Sequence, residues 1–216
     1  TQWDWRPMMW AVAILTMVVG AVLAVTQTDV KRMLAYSSIA HTGFILVGVI
    51  AINRDGLSGS LFYLLTYGFT TIASFAVVGL VRDSAGEATH LAQWAGLGRK
   101  SPLVAGVFAL LLFALAGIPL TSGFMAKFAV FKAATEGGAT ALVVVGVVAS
   151  GITAFFYAKV VVLMFFNEPL PDGPTVAVPS AYTAATIALG LAVTVVLGVL
   201  PQPLLDLTGR AAVFIR

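Results

Sequence analysis

The chain has 216 residues, of which 60% are hydrophobic and 10% are charged, whereas soluble domains carry about 25% charged residues. Its formal net charge of +3 is too small to indicate a nucleic-acid partner. It has no cysteine, which excludes disulfides, thiolate metal sites and cysteine nucleophiles. This composition predicts an integral membrane protein.

Six apolar stretches are long enough to cross about 30 Å of hydrocarbon, which takes about 20 residues each. They predict an all-α fold: a polytopic transmembrane helix bundle of six spans with one discontinuous helix, at about 10–25, 33–52, 57–81, 103–131 (broken at 117–123), 139–166 and 181–200. We treat 1–216 as a single transmembrane domain with both ends on one side. The chain opens at Thr1 and soon enters a span, so we expect it to be a fragment of a longer protein.

Basic residues are concentrated in the connections after the first and third spans. Those connections hold Lys31, Arg32, Arg82, Arg99 and Lys100, and the opposite ones hold only Arg54 and Lys132. The positive-inside rule therefore places the first group in the cytoplasm. The arginines near the two ends oppose this orientation, namely Arg6, Arg210 and Arg216.

The second span follows a charged loop and starts with small polar residues. Asp29 can pair with a neighbouring basic residue, or sit at the helix N-terminus, where the macrodipole favours a carboxylate. Ser37 and Ser38 either hydrogen-bond across helices or line a polar path toward His41.

His41 lies near the middle of this span. An ionisable residue costs roughly 3 kcal/mol or more at the bilayer centre, so it usually faces a bundle interior or a wet cavity. An imidazole can exchange a proton near neutral pH, which makes His41 a candidate proton relay. The alternative is a neutral histidine that is hydrogen-bonded between helices.

The longest polar connection covers 83–101. Leu91, Trp94 and Leu97 are spaced like one face of a short helix lying at the membrane interface. His90, in the same connection, is expected to be solvated. After Pro203, the leucines of the C-terminal tail predict another amphipathic segment along the membrane surface.

The fourth span is interrupted by Gly117, Pro119 and Gly123. Backbone polar groups in lipid must be paired, so such a break is tolerated only where protein or water supplies partners. Pro119 removes one amide donor and frees the carbonyl around Leu115, while the glycines let the backbone leave helical geometry. The freed carbonyls can solvate a cation or a chain of ordered waters.

Lys127 follows this break, and Thr121 or Ser122 is placed to cap the restarted helix. Close to freed carbonyls and to a helix N-terminus, a lysine can cycle its proton, so Lys127 is the first candidate for a proton carrier. The alternative is a lysine that snorkels to the interface.

Lys159 lies about two turns before the end of the fifth span, close enough to snorkel toward cytoplasmic headgroups, which is the interpretation we favour. The neighbouring aromatic side chains are expected to supply packing and an interfacial belt. They are Phe155, Phe156, Tyr157, Phe165 and Phe166.

Motifs of soluble enzymes are missing: there is no phosphate loop, no pair of metal ligands at helical spacing and no serine elbow. We therefore predict no metal or cofactor site in this chain, and ion movement as its chemistry.

Three motifs together resemble the antiporter-like membrane subunits of respiratory complex I. They are Asp29-Val-Lys-Arg-Met-Leu-Ala-Tyr-Ser-Ser-Ile-Ala-His41, Leu115-Ala-Gly-Ile-Pro-Leu-Thr-Ser-Gly-Phe-Met-Ala-Lys127 and Tyr157-Ala-Lys-Val-Val-Val-Leu-Met-Phe-Phe-Asn-Glu-Pro169. The sequence motif around Lys127 is most similar to that of the subunit N branch of the proton-pumping NADH:quinone oxidoreductases. The related subunit M branch typically has glutamate at this position.

This resemblance implies that the chain is the C-terminal portion of a fourteen-helix protein, from helix nine to helix fourteen, and contains the second of two inverted repeats. It implies that Lys127 and His41 carry protons along a central axis of buried ionisable residues. It also implies an enzyme subunit of the translocase type without a redox site of its own. NAD, FMN, iron–sulfur clusters and quinone are then expected in partner subunits of the membrane-embedded complex.

Two alternatives remain at this point. A subunit of a multi-subunit Na⁺/H⁺ antiporter shares the motifs, although a carboxylate near the break would favour sodium, because hard cations prefer oxygen ligands. A scaffold subunit of the membrane arm would conduct nothing. A multi-pass location in the inner (plasma) membrane of a bacterial cell is expected, rather than an organellar membrane.

Overall fold

The computed structural model describes residues 2–214. Thr1, Ile215 and Arg216 lie outside the described residues, and Arg216 is one of the three arginines near the chain ends that oppose the predicted orientation. Within that range the chain forms nine α-helices: α1 Gln2–Thr26, α2 Val30–Ile50, α3 Arg54–Val78, α4 Leu97–Lys100, α5 Pro102–Ala116, α6 Ser122–Glu136, α7 Thr140–Phe166, α8 Ala181–Val199 and α9 Gln202–Ala211. The predicted all-α helix bundle is confirmed.

Five of these helices, in the described part of the chain, are long and apolar enough to cross a membrane: α1, α2, α3, α7 and α8. The fourth predicted span corresponds to α5 and α6, two helices of 15 residues each. Neither helix is long enough to cross the membrane by itself. The count of six crossings therefore stays a prediction, and it requires that α5 and α6 together form one crossing.

Helix α1 begins earlier than the predicted span. The prediction followed apolar residues alone, whereas the helix continues through polar residues at its start. The Arg6 guanidinium donates a hydrogen bond of 2.9 Å to the Gly137 carbonyl, which anchors this end of α1 to the connection between α6 and α7.

A small antiparallel sheet was not predicted. Its strands are β1 Val81–Asp83, β2 Gly86–Glu87 and β3 Thr175–Val176, in the order β2-β1-β3. The pairing of β1 with β3 joins the connection after α3 to the connection after α7. The sheet therefore fixes one end of the bundle.

The prediction of an interfacial helix around Trp94 is wrong. Residues Leu91–Trp94 form a 3-10 turn, followed by α4, and both Trp94 and Leu97 are buried in the core. The Trp94 indole donates a hydrogen bond of 2.8 Å to the Ala88 carbonyl. This segment is thus packed against protein, while His90 is exposed as predicted and its ring accepts a hydrogen bond from the Ala92 amide.

Asp29 occupies the N-cap of α2, one of the two predicted arrangements. Its carboxylate accepts a hydrogen bond of 2.9 Å from the Arg32 amide, and Lys31 instead forms an ion pair with Glu87. Burial raises the pKa of Asp29, but hydrogen bonds from Thr89 and from backbone amides of the first turn outweigh it, so the pKa is lowered below its ordinary value of 3.8.

The C-terminal helix α9 packs on the start of α3. The Thr208 and Ser58 hydroxyls are 2.9 Å apart, and the Arg54 guanidinium donates to the Gly209 carbonyl. Leu204 and Leu205 pack against the core, whereas Asp206 and Arg210 are exposed, so α9 has the amphipathic character that the sequence predicted for the tail.

Helix α2 lies at the centre of the bundle, in contact with α1, α3, α6 and α7. Close packing against α1 depends on Gly20, because a Cβ atom there would lie 2.5 Å from the Ala40 backbone nitrogen. The middle of α2, with His41 and Phe44, is therefore held between helices and faces the break between α5 and α6.

Candidate functional site

The predicted break in the fourth span is confirmed. Helix α5 ends at Ala116, Gly117 adopts a left-handed conformation with φ of 87°, and α6 starts at Ser122. Leu120, within the turn, also has a positive φ of 70°. The two half-helices approach closely, because a Cβ atom on Gly123 would lie 1.9 Å from the Ala114 carbonyl oxygen.

The Lys127 amine lies under this break. The residue is only 6% exposed, and Nζ donates hydrogen bonds to the Ala116 carbonyl (2.8 Å), the Leu115 carbonyl (3.2 Å) and the Ser150 hydroxyl (2.9 Å). In a continuous helix the Leu115 carbonyl would bond to the amide of residue 119, which as proline has no N–H. The Leu115 carbonyl is therefore free to accept from Lys127, and the lysine side chain is buried under the break rather than extended toward the membrane interface.

Gly117 makes room for this amine. A Cβ atom at Gly117 would lie 3.0 Å from Lys127 Cδ and 3.3 Å from Nζ. The glycine therefore combines two properties, a left-handed backbone and the space that the lysine side chain occupies.

His41 is buried within a cluster of tyrosines. It is 2% exposed; its Nδ1 is 2.8 Å from the Tyr63 hydroxyl and its Nε2 is 3.4 Å from the Tyr157 hydroxyl. The Tyr67 ring stacks on the imidazole with centroids 4.5 Å apart. Each ring nitrogen thus has its own hydroxyl partner, one on α3 and one on α7.

The two serines before His41 differ in their contacts. Ser37 donates to the Leu34 carbonyl within α2. Ser38 also donates to Leu34, and accepts a hydrogen bond of 2.7 Å from the Tyr67 hydroxyl on α3. Ser38 therefore makes the predicted bond across helices and supports the tyrosine that stacks on His41.

The expectation of a side-chain cap on α6 is wrong. Thr121 occupies the N-cap position, but its hydroxyl donates to the Ile118 carbonyl at 2.7 Å rather than accepting from the first turn. Ser122, also buried, has a hydroxyl oxygen without a hydrogen-bond partner among the described residues. The Thr121 hydroxyl is turned toward the preceding turn instead of toward the first amides of α6.

Lys159 lies apart from this site. It is exposed on α7 and lines a cleft with His90 and Asn167 at the end of the helix. The interfacial interpretation fits this position. The neighbouring aromatic residues fall into two groups: Phe155 and Phe166 are exposed, whereas Phe156 and Tyr157 are buried in the core, as predicted for packing. Tyr157 also has a contact that was not predicted, because its hydroxyl reaches His41.

Several site residues were missed by the sequence analysis. Tyr63 and Tyr67, four residues apart on one face of α3, surround the imidazole. Ser150 holds Lys127 from α7, and the Phe44 ring centroid lies 5.1 Å from the lysine amine. The spacing of the two tyrosines could have indicated a polar face on α3. A single serine or phenylalanine in an apolar helix gives no such indication.

The oxygen atoms that bind the Lys127 amine are all uncharged. Two carbonyls and one hydroxyl surround the Lys127 amine, and the Phe44 ring adds a weak cation–π attraction. Within residues 2–214 the amine forms no ion pair. Such a shell can accept hydrogen bonds from an ammonium group, and the Ser150 hydroxyl can reverse and donate to a neutral amine.

Comparison with known proteins agrees with the geometry. The family model described as NADH:quinone oxidoreductase/Mrp antiporter, TM, matches residues 1–153. NADH-quinone oxidoreductase subunit N of Rhodococcus opacus is 71% identical over 213 residues, which cover 99% of this chain and 39% of the relative. The chain thus spans about two fifths of the length of this curated relative.

Solved structures share the fold. A chain of the Mrp complex from Dietzia sp. superposes with a TM-score of 0.87 and 29% identity, covering 98% of this chain and 47% of that one. A chain of respiratory complex I from Thermus thermophilus with bound aureothin gives a TM-score of 0.79 and 31% identity, covering 93% and 45%. The predicted resemblance is confirmed, and the chain belongs to the NADH:quinone oxidoreductase/Mrp antiporter transmembrane family.

Proposed function

We propose that this chain forms the proton-translocating C-terminal half of a subunit N-type membrane subunit of NADH:quinone oxidoreductase. The observation that carries the proposal is the buried Lys127 amine, held by carbonyls that the helix break releases. A charge is costly in a membrane interior, and it is kept there mostly where it serves a function. Similarity to NADH-quinone oxidoreductase subunit N supports the assignment.

Lys127 exchanges a proton with its surroundings in this proposal. As ammonium it donates to Leu115, Ala116 and Ser150; after losing a proton it keeps two donors and gains a lone pair that the Ser150 hydroxyl can approach. A positive charge arriving nearby would repel the ammonium and favour proton release. Neutral ligands keep this exchange reversible, since no carboxylate among the bonded groups fixes the positive charge.

His41 passes protons between tyrosine hydroxyls on α3 and α7. One ring nitrogen meets the Tyr63 hydroxyl and the other meets the Tyr157 hydroxyl. A neutral imidazole can take a proton on one nitrogen and release the other from the opposite nitrogen. This arrangement suits a relay, and it is equally the hydrogen-bonded histidine that the sequence allowed.

The remaining expectations concern the whole complex. Other membrane-arm subunits are the proposed partners, and redox energy would come from sites for NAD, FMN, iron–sulfur clusters and quinone in those subunits. The proposed location is the bacterial plasma membrane, with the chain in contact with lipid.

The test is Lys127→Ala in the full-length protein within the assembled complex, with proton pumping and NADH oxidation measured in the same membranes. We expect pumping per NADH to fall while the complex still assembles. Lys159→Ala is the matched control, because it removes an exposed lysine from the neighbouring helix. Unaltered coupled pumping in Lys127→Ala would contradict the proposal.

Measurements in the same membranes distinguish the proposed function from its two alternatives, an antiporter subunit and a scaffold subunit. A Na⁺/H⁺ antiporter subunit, which the likeness to the Mrp complex makes the closer rival, would show proton movement that depends on added sodium without NADH. A scaffold subunit would tolerate Lys127→Ala but not deletion of the chain.

A further inference from the structure

The turn between α5 and α6, residues 117–121, contains a leucine in a disfavoured backbone conformation. Leu120 has a positive φ of 70°, in the left-handed region that residues with a side chain rarely adopt. Such a conformation persists only where the surrounding structure fixes it. The Leu120 side chain is 75% exposed, so its packing cannot provide that support. The support must come from contacts of the backbone.

Helix α8 makes such a contact at Gly198, which is buried. A Cβ atom at this position would overlap the Leu120 carbonyl oxygen and would lie 2.6 Å from the Thr121 Cα atom. Both neighbours are backbone atoms, which cannot rotate away as the end of a flexible side chain can. Helix α8 therefore reaches the turn only because residue 198 has no side chain.

The face of α8 that carries Gly198 is anchored on α3. Gly190, Thr194 and Gly198 follow one another at intervals of four residues, so they lie on one face of the helix. A Cβ atom at Gly190 would lie 2.5 Å from the Ala73 Cβ atom. The Thr194 and Thr70 hydroxyls, both buried, are 2.9 Å apart. Contacts with α3 thus fix α8 before its next turn reaches the break.

The turn in contact with α8 also positions an acceptor of the Lys127 amine. Ala116, whose carbonyl accepts from Nζ at 2.8 Å, is the last residue of α5 and directly precedes the turn. The Thr121 hydroxyl and amide both donate to the Ile118 carbonyl, at 2.7 Å and 3.3 Å, and these bonds close the turn. A push on the Leu120 backbone would therefore be transmitted to the Ala116 carbonyl.

We propose that Gly198 is a positioning residue for the Lys127 amine and that it acts through the turn between the half-helices. The missing side chain lets α8 pack directly on the backbone of Leu120, and this contact keeps the Ala116 carbonyl within hydrogen-bonding distance of Nζ. The effect on pumping rests on the proposed function, whereas the effect on the position of the turn does not.

The experiment compares wild type, Gly198→Ala and Gly190→Ala in the full-length protein within the assembled complex. Gly190→Ala is the matched control, because it adds the same methyl group to a tight contact of α8, but against α3 and about 12 Å further along the helix. Overpacking should lower the unfolding temperature in both variants. Loss of α8 packing in general would affect both alike.

Only Gly198→Ala should alter the Lys127 site. In electron cryomicroscopy maps we expect the distance from Nζ to the Ala116 carbonyl to increase from 2.8 Å to beyond about 3.2 Å, the usual limit of such a hydrogen bond. Pumping per NADH should decrease, and its pH profile should shift. Gly190→Ala should retain the hydrogen bond, the pumping ratio and the pH profile of wild type.

If Gly198→Ala does not assemble, the double variant Gly198→Ala/Leu120→Gly replaces it, with Leu120→Gly alone as its reference. Glycine at 120 adopts many backbone conformations, so the turn can yield to the added methyl group and assembly should return with reduced pumping per NADH. Failure of the double variant to assemble would overturn the proposal, because Gly198 would then serve folding alone.

An unchanged Lys127 hydrogen bond in Gly198→Ala would also overturn the proposal, as would equal pumping losses in Gly198→Ala and Gly190→Ala. The maps do not depend on the pumping result of Lys127→Ala. A shifted turn in Gly198→Ala together with normal pumping in Lys127→Ala would therefore contradict the proposed function while the positioning of the amine by Gly198 still holds.

Discussion

Lys127 shows how a buried amine can be held without a carboxylate. A buried ion pair fixes both charges, because removing one partner leaves the other uncompensated at a cost of about 3–5 kcal/mol. Carbonyl and hydroxyl oxygens carry only partial charges, and they can stay in place when the amine changes its protonation state. The three acceptors around Lys127 therefore suit a group that must bind and release a proton repeatedly.

Asp29 gives a prediction about pH at the residue scale. Because its pKa is lower in the folded protein, its contribution to stability is present above the ordinary value of 3.8 and is lost as the pH falls below it. We expect Asp29→Ala to lower the free energy of unfolding by about 1 kcal/mol at neutral pH. Asn is as good an N-cap as Asp, so Asp29→Asn should cost little there and remove this dependence on acid.

The measurement is the thermal unfolding midpoint of the full-length protein in detergent at several pH values from neutral to about pH 3.5. If the carboxylate caps the helix, the difference between wild type and Asp29→Ala should shrink toward acid pH, and wild type should fall below Asp29→Asn, which does not titrate. Parallel curves over the whole range would contradict this account.

At this scale the sequence predicted the ionisable residues but not their partners. Lys127 and His41 stand out because charged or titratable groups are rare in apolar helices. Tyr157, in contrast, has the same appearance as its aromatic neighbours, and only the packing of α7 against α2 turns its hydroxyl to His41. Hydroxyl partners of this kind depend on helix rotation, which residue type alone does not determine.

At the scale of elements, the close approach of α5 and α6 yields a second prediction. A Cβ atom on Gly123 would overlap the Ala114 carbonyl oxygen at 1.9 Å, so Gly123→Ala must push the half-helices apart. Overpacking of this kind typically costs about 1–3 kcal/mol. Since the carbonyls of Leu115 and Ala116 would move away from Lys127, we expect both the unfolding temperature and proton pumping to decrease.

Gly151→Ala is the control for this change, because a Cβ atom on that α7 glycine would meet nothing within 4 Å. In a helix interior the replacement of Gly by Ala is favourable by about 0.5–1 kcal/mol. Gly151→Ala should therefore raise the unfolding temperature slightly and leave pumping unchanged, whereas Gly123→Ala should lower both. Equal behaviour would mean that the half-helices are not held at this distance.

The elements themselves were predictable to the extent that hydrophobicity defines them. The spans for α2, α3, α7 and α8 agree with the structure within a few residues, because about 20 apolar residues leave few alternatives to a helix. The sheet could not be predicted, since its strands contain only two or three residues and show no alternating pattern. Its formation depends on two connections that are more than 90 residues apart in sequence meeting at one end of the bundle.

At the scale of the whole molecule, the connections that carry basic residues contact one another at one end of the helix bundle. Lys31 pairs with Glu87, Lys100 donates to the Leu170 carbonyl at 3.0 Å, and β1 pairs with β3. These contacts tie together the connections that follow α1, α3 and α7. The positive-inside rule predicts that this end faces the cytoplasm, and the connection between α6 and α7 then faces the opposite side.

This arrangement gives a prediction that also decides whether α5 and α6 together make one crossing. The chain has no cysteine, so single cysteines can be placed at Ser84, at Asp172 and at Glu136, all exposed in the structure. In right-side-out and inverted vesicles that contain the full-length protein in its complex, a membrane-impermeant maleimide should label Ser84→Cys and Asp172→Cys from the cytoplasmic side only. It should label Glu136→Cys from the outer side only, because the paired half-helices carry the chain across. Labelling of Glu136→Cys from the same side as Ser84→Cys would show that α5 and α6 form a re-entrant hairpin, and would leave the Lys127 amine without a route from one face of the membrane to the other.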